Sequence, residues 1–221
     1  MNTETEAKER KICRLCGSDS KKDLLTSRDG RRHFLCEECF LINTEKRYFL
    51  SGDEEKKRYL LHENDPEDQR YRDFLMQAIS PALSFIEKRT TGLDYGCGPG
   101  PAISVILKEK GYNCLDYDPY FFKSIPLGKF EFIFATEVIE HFFSPADDVL
   151  KMKELLSPGG VMVLMTQRWK EKSSFGSWHY AADDSHVSFY HSKTFDFIAD
   201  KFGLEKLFDD GERVVILRKP S

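Results

Sequence analysis

Leu93-Asp94-Tyr95-Gly96-Cys97-Gly98-Pro99-Gly100-Pro101 reads as the end of a β-strand, a glycine-rich turn and the start of a helix. Glycine at Gly96, Gly98 and Gly100 lets the backbone turn sharply and approach a ligand that a side chain would push away. A glycine-rich turn alone is weak support for a nucleotide site, so its context decides. Asp118 ends the next predicted strand, about 20 residues beyond Gly98, where a carboxylate can accept hydrogen bonds from both ribose hydroxyls of a nucleoside. Asp116 competes for this role from the same strand face, but Asp118 is nearer the strand's carboxyl end and precedes Pro119. Asp94, beside the glycines, would repel a pyrophosphate and favours a ligand with a cationic end. Cys97 is a small residue packed in the turn.

Outward from this turn the signals alternate. Strands are expected into Leu93 and over 113–117, 130–135, 161–166, 204–208 and 214–218, with helices over 101–110, 145–156 and 193–202. Such alternation predicts an α/β fold, a doubly wound, mostly parallel sheet covered on both faces. Met162 and Met165 fall in a strand pattern and read as core. Upstream, 51–72 is charged and helix-prone, broken at Asn64-Asp65-Pro66. In 73–89, Phe74, Leu75, Ala78, Ile79, Leu83 and Ile86 form one helical face, interrupted at Ser80-Pro81. The organisation predicted is a module over 1–50, connecting helices over 51–89 and a catalytic domain over 90–221.

The module carries Cys13-x-x-Cys16 and Cys36-x-x-Cys39, separated by the stretch 17–35. Each pair can turn two thiolates onto one ion, and the gap suits a hairpin that completes a tetrahedral zinc site. Cys13, Cys16, Cys36 and Cys39 are therefore read as the ligands of a structural zinc ribbon, a closed site that folds the module and leaves no open position for chemistry. Gly17 and Asp29-Gly30 supply turns, and 31–35 returns as a strand with His33 on its surface. Over 8–47, lysine and arginine outnumber aspartate and glutamate. That local excess leaves a weak RNA-facing surface open, although a solvated face explains it as well.

The ordered set resembles the class I S-adenosylmethionine-dependent methyltransferases. Their first motif has an acid followed by spaced glycines, as in 94–100. Phe130-Glu131-Phe132-Ile133-Phe134-Ala135-Thr136-Glu137-Val138-Ile139-Glu140-His141 is similar to their fourth-strand motif, Leu156-Ser157-Pro158-Gly159-Gly160 to the turn before the fifth strand, and His186-Val187-Ser188-Phe189-Tyr190 to a later segment. The resemblance covers about 71–219. It implies that Asp94, Gly96, Cys97, Gly98, Gly100, Asp118, Thr136 and Glu137 bind S-adenosylmethionine, with Asp94 receiving the amino-acid end. The resemblance also permits His62 and Tyr71, in the connecting helices, to fold over that same end. One departure stands out: only the short stretch 119–129 separates Asp118 from Phe130, too little for the helix and third strand that the family places there. The sheet should be contracted, with the adenine pocket lined by Phe121, Phe122 and the 135–137 turn, or with those two phenylalanines in the core.

The family's chemistry is an in-line displacement at the sulfonium methyl, which requires alignment and, for oxygen or carbon acceptors, proton removal. His141, His179, His186 and Tyr190 are the candidate bases, all expected after strand ends. The polar and aromatic stretch around Trp178-His179-Tyr180 and Asp183-Asp184-Ser185-His186 is the expected acceptor-facing loop.

With 221 residues and 25.7 kDa, the chain holds one domain and a small module. Hydrophobic residues at 40%, with 18 Phe and 9 Tyr, provide a core and exclude disorder. A net charge of -4 gives no global attraction to nucleic acid or anionic membrane. The stretch 1–11 is polar, with no apolar run, which predicts a cytoplasmic protein. Methyl transfer to a small-molecule acceptor is the leading expectation. RNA methylation with the zinc module as a docking surface is the alternative, and a non-catalytic scaffold is the third.

Overall fold

The computed structural model describes residues 11–19, 22–61 and 64–221. Strands β1 (Lys22–Thr26), β2 (Arg32–Cys36) and β3 (Ile42–Thr44) form the module. Helices α1 (Gly52–Tyr59) and α2 (Gln69–Ala82) lead into β4 (Thr91–Tyr95), α3 (Ile103–Glu109), β5 (Asn113–Tyr117) and β6 (Phe130–Thr136). Then follow α4 (Pro145–Leu155), β7 (Leu156–Met165), α5 (Lys172–Phe175), β8 (Ser188–Phe189), α6 (Ser192–Phe202), β9 (Glu205–Asp209) and β10 (Val214–Arg218). The large sheet has the order β5-β4-β6-β7-β10-β9. Its first four strands are parallel, while β10 runs antiparallel to β7 and β9. The connection between β9 and β10 is too short for a crossover, so these two strands pair as a hairpin.

Alternation along β6 explains why helices cover both faces. Phe132 and Phe134 meet Ile79, Ile103 and Ile106 from α2 and α3, whereas Ile133 and Ala135 meet Val149, Met152, Phe195 and Ile198 from α4 and α6. Met162 and Met165 are fully buried. Gly92 is required in β4 because a Cβ there would lie 1.8 Å from the Phe132 ring. The expected contraction is present: between β5 and β6 the chain makes a single isolated bridge, Asp118 with Phe122, and β5 is the sheet's edge.

Two boundaries differ from expectation. Pro81 does not interrupt α2, because it sits in the last turn, where only one backbone donor is lost. Strand β7, the fourth of the domain, takes in Ser157-Pro158-Gly159-Gly160, and its register against β6 shifts between Phe130 and Phe132 to absorb the turn residues. Among the described residues no helix is long and apolar enough to cross a membrane.

The module is continuous with the domain. Its sheet has the order β1-β2-β3-β8, so Ser188–Phe189 from downstream closes it. Arg31 donates to the backbone carbonyls of Ala181, Asp183, Asp184 and His186, and Arg14 donates to those of Phe142, Phe143 and Val187. Two of the module's basic residues thus fasten it to the domain and are not displayed to solvent.

His33 is a correction. It is fully buried, not on the surface, with Nδ1 3.0 Å from the Thr44 hydroxyl and Nε2 2.8 Å from the Ser27 hydroxyl. Burial, with Arg31 nearby, pushes its pKa down from 6.5 to about 4. Between those values the unfolded chain binds a proton that the folded chain does not, so this contribution to stability is present above pH 6.5 and falls as pH drops toward 4. The loss approaches roughly 3 kcal/mol at about 1.36 kcal/mol per pKa unit. An NMR titration should find the His33 imidazole neutral at pH 5; a midpoint near 6.5 would contradict its burial.

Candidate active site

A cleft of about 690 Å³ opens at the carboxyl ends of β4, β5 and β6, the place where ligands collect in sheets of this kind. The glycine turn forms one wall. Gly96 and Gly98 have φ of +84° and +67°, a region that L side chains rarely enter. The Gly96 and Cys97 N–H groups both donate to the Tyr117 carbonyl, at 2.7 and 3.1 Å. Asp118 ties this wall to the turn after β5: one carboxylate oxygen accepts from the Gly98 N–H at 3.1 Å, the other from those of Tyr120 and Phe121 at 2.8 and 3.1 Å.

Asp94, Gly96, Cys97, Gly98, Asp118, Thr136 and Glu137 all line the cleft. Gly100 does not. A Cβ at Gly100 would lie 2.1 Å from the Asn64 carbonyl oxygen, so this glycine accommodates a neighbouring chain segment and not a ligand. Asp116 also lies outside the lining, with one buried carboxylate oxygen lacking a partner. Asp94 is buried, and its pKa is pushed well above the carboxylate range by that burial and by Asp116 and Asp118. No cation among the described residues pairs with it. Burial and Asp94 keep the Cys97 thiol neutral, which suits packing and not nucleophilic attack.

The same cleft gathers Glu137, Glu140, His141, Tyr180 and His186. Glu137 follows β6 with φ of +52°, held by its N–H donating to the Met165 carbonyl at 2.8 Å. The Tyr180 hydroxyl lies 2.5 Å from Glu140 Oε1, 3.1 Å from Glu137 Oε2 and 2.9 Å from the Thr166 hydroxyl. Burial, then the charge of Glu137, pushes the Glu140 pKa far up. His141 Nδ1 sits 3.1 Å from the Ser185 carbonyl and His186 Nδ1 2.8 Å from that of Tyr180, with the two rings 4.9 Å apart. A carbonyl only accepts, so each neutral ring carries its proton on Nδ1 and its lone pair on Nε2.

Two candidate bases lie elsewhere. His179 is exposed and outside the cleft, because the 3-10 turn that carries it directs the adjacent Tyr180 inward. Tyr190 is fully buried, stacked on Phe195, with its hydroxyl donating to the Ile139 carbonyl at 3.0 Å. It is a core residue. Phe121 and Phe122 neither line the cleft nor join the core; Phe122 is exposed, and Pro119 and Tyr120 take their place in the wall. Tyr71 lines the cleft as expected, whereas His62 lies outside the described residues.

Three cleft residues escaped the sequence reading. Glu55, the one buried residue of the highly charged α1, accepts from the Tyr120 and Tyr59 hydroxyls at 2.6 and 3.2 Å. Asp148 and Lys151 on α4 flank Tyr95 and Tyr117, and burial pushes the Asp148 pKa up to about 6. No spacing rule marks them. Glu140 and Tyr180 stood within quoted stretches, and the Glu-x-x-Glu-His spacing was the available signal.

In the module, the four sulfurs of Cys13, Cys16, Cys36 and Cys39 lie within 4.8 Å of one another, with Cys13 to Cys39 at 3.5 Å and Cys16 to Cys36 at 3.4 Å. Tetrahedral thiolates at ~2.3 Å from a zinc ion would be about 3.8 Å apart, so the cluster is compatible with one. Both Cys-x-x-Cys turns close the same way: the Gly17 N–H donates to the Cys13 carbonyl and the Phe40 N–H to the Cys36 carbonyl, each at 2.9 Å. Gly17 and Phe40 have φ of +79° and +58°. None of the six cysteines is in a disulfide.

Residues 67–207 match the family described as a methyltransferase domain. Among solved structures, the chain is similar to an O-methyltransferase family protein from Burkholderia thailandensis, at 14% identity over 76% of this chain and 63% of that one, with a TM-score of 0.51. It is also similar to 1,6-didemethyltoxoflavin-N1-methyltransferase of Burkholderia thailandensis, solved with 1,6-didemethyltoxoflavin and S-adenosylhomocysteine, at 11% identity over 91% and 100% with a TM-score of 0.50. A SAM-dependent methyltransferase from Archaeoglobus fulgidus gives 14% identity over 67% and 94%, again with a TM-score of 0.50. At these identities the structural likenesses speak to fold alone. No curated protein sequence matches the chain.

Proposed function

The chain belongs to the methyltransferase-domain family, whose members use S-adenosylmethionine, and we propose that it transfers a methyl group from this donor to a small-molecule acceptor by in-line displacement. The observation that carries the reading is the composition of the cleft lining. It brings together two groups: the glycine turn with Asp94 and Asp118, and two glutamates, two histidines and a tyrosine.

The donor fits the first group on chemical grounds. Asp94 is a buried acid with two acids nearby and no cation, and a ligand that brings an ammonium group beside it removes that penalty. Asp118 would accept the ribose hydroxyls while its bond from the Gly98 N–H keeps the turn in place. Asp148, Phe142 and Pro119 line the cleft, and there they would bound the adenine. When bound, the donor supplies an electrophilic methyl on a sulfonium. The chain's own task is to hold the acceptor in line and take its proton. His141 and His186, with their lone pairs on Nε2, are the groups for the second part, and Tyr180 is poised to orient the acceptor.

The four cysteines are proposed to hold a structural zinc, which would fix the module where Arg14 and Arg31 grip the loops beside the cleft. A reducing cytoplasm suits six free thiols. RNA as acceptor is disfavoured because Arg14 and Arg31 are turned inward and Lys11, Arg32 and Arg47 all converge on Glu45. Binding to bulk tRNA and rRNA across a salt series tests this. Negligible binding at about 50 mM salt is expected; tight binding that falls steeply with salt would move the acceptor to RNA.

A further inference from the structure

Glu140 has a polar atom that no hydrogen bond from the described residues satisfies. Its carboxyl is fully buried, Oε1 receives the Tyr180 hydroxyl, and Oε2 has no hydrogen-bond partner among the described residues. Ionised, that oxygen is an uncompensated charge; protonated, it is a donor with no acceptor. Either state is costly in an enclosed site. Tyr180 does not relieve it, because one hydroxyl proton is shared between Glu140 and Glu137.

Beside this carboxyl stand two imidazoles. Glu140, His141 and His186 each place a ligating atom within 4.8 Å of the other two. Donors about 2.0 to 2.2 Å from one ion lie up to ~4.4 Å apart, so a small closure suffices. Both rings spend Nδ1 on a backbone carbonyl, the outer-shell arrangement that orients a histidine to ligate through Nε2. Glu137 adds a second carboxylate to the surroundings, and Arg213 approaches only its Oε1, at 3.4 Å.

We propose that Glu140, His141 and His186 bind a divalent first-row cation in the acceptor end of the cleft, separate from the thiolate cluster. Two imidazoles and a carboxylate suit Mn²⁺, Fe²⁺ or Zn²⁺, with positions left open for substrate. Occupancy stands on the side-chain geometry alone; its role rests on the methyl-transfer reading. In that role the open positions take an oxygen acceptor. There His141 and His186 hold the cation instead of taking the proton: a coordinated hydroxyl loses its proton to water, the oxygen forms the bond to the methyl carbon, and the S–CH₃ bond breaks with its electron pair staying on sulfur. The acceptor class is then a hydroxylated small molecule able to chelate, such as a vicinal diol or a catechol.

The test uses the full chain loaded with one equivalent of zinc and titrated with MnCl₂, with free Mn²⁺ followed by EPR. One Mn²⁺ per chain is expected, with electron spin-echo modulation from two imidazole nitrogens. Glu140→Gln and His186→Asn should each weaken binding at least tenfold, and His141→Gln, in a fold checked by circular dichroism, should remove one of the two nitrogen signals. No Mn²⁺ retained at millimolar ion, binding without nitrogen modulation, or unchanged affinity in Glu140→Gln would overturn the site. S-adenosylhomocysteine affinity on Mn²⁺-free samples separates the two ideas: if it binds and Mn²⁺ does not, only the cation site fails, and in the converse case only the methyl-transfer reading fails.

Discussion

Asp118→Ala is expected to weaken S-adenosylhomocysteine binding about 100-fold, measured by calorimetry against a surface control such as Asp196→Ala. Two effects add. The carboxylate loses its charge-assisted bonds to the ribose, each worth roughly 1.5 to 3 kcal/mol. It also releases the Gly98, Tyr120 and Phe121 N–H groups that set the shape of the wall. Asp118→Asn separates these effects, since an amide oxygen still accepts from the backbone without the charge, and an intermediate loss is expected. Unchanged affinity in Asp118→Ala would place the ribose elsewhere in the cleft.

The place of Asp118 in the cleft was legible because it depends on short-range order: a glycine turn, a strand and an acid at the strand's end all fall within 94–118. The parallel sheet and its contraction were legible on the same basis, from the alternation of elements and from a gap too short to hold two of them. Three-dimensional packing decided the rest. Gly100 looked like its neighbours in sequence, yet it faces Asn64 and not the cleft. His33 occupies an alternating strand position that is buried only once β3 and the far-downstream β8 extend the module's sheet. Tyr190 and His179 were candidates by chain position alone, and the turn at 179–182 inverted the reading by sending Tyr180 inward. Glu55 belongs to a helix whose surroundings are charged, and only the approach of Tyr120 from the other side of the cleft shows why it is buried.

Stripping zinc from the purified chain is expected to destabilise the whole protein and not the module alone. Cys13, Leu15, Cys36, Cys39 and Leu41 share a core with Tyr190, Phe195 and Ile198, and β3 pairs with β8. Binding of a structural zinc is worth on the order of 10 kcal/mol, comparable to the ~5 to 15 kcal/mol by which a domain is stable. Chelation verified by metal analysis should therefore lower the main calorimetric transition by roughly 10 °C or more, or abolish it, and Cys36→Ser should do the same. A transition that survives at its original temperature after complete metal removal would show that the thiols pack as neutral groups with no ion between them.

The most direct measurement is a crystal structure of the chain with S-adenosylhomocysteine. The ribose hydroxyls are expected on Asp118, the ammonium beside Asp94 and the sulfur facing Glu140, His141 and His186. A ligand with its sulfur turned away from those three residues, or one seated outside the cleft of Asp94 and Asp118, would overturn the methyl-transfer reading.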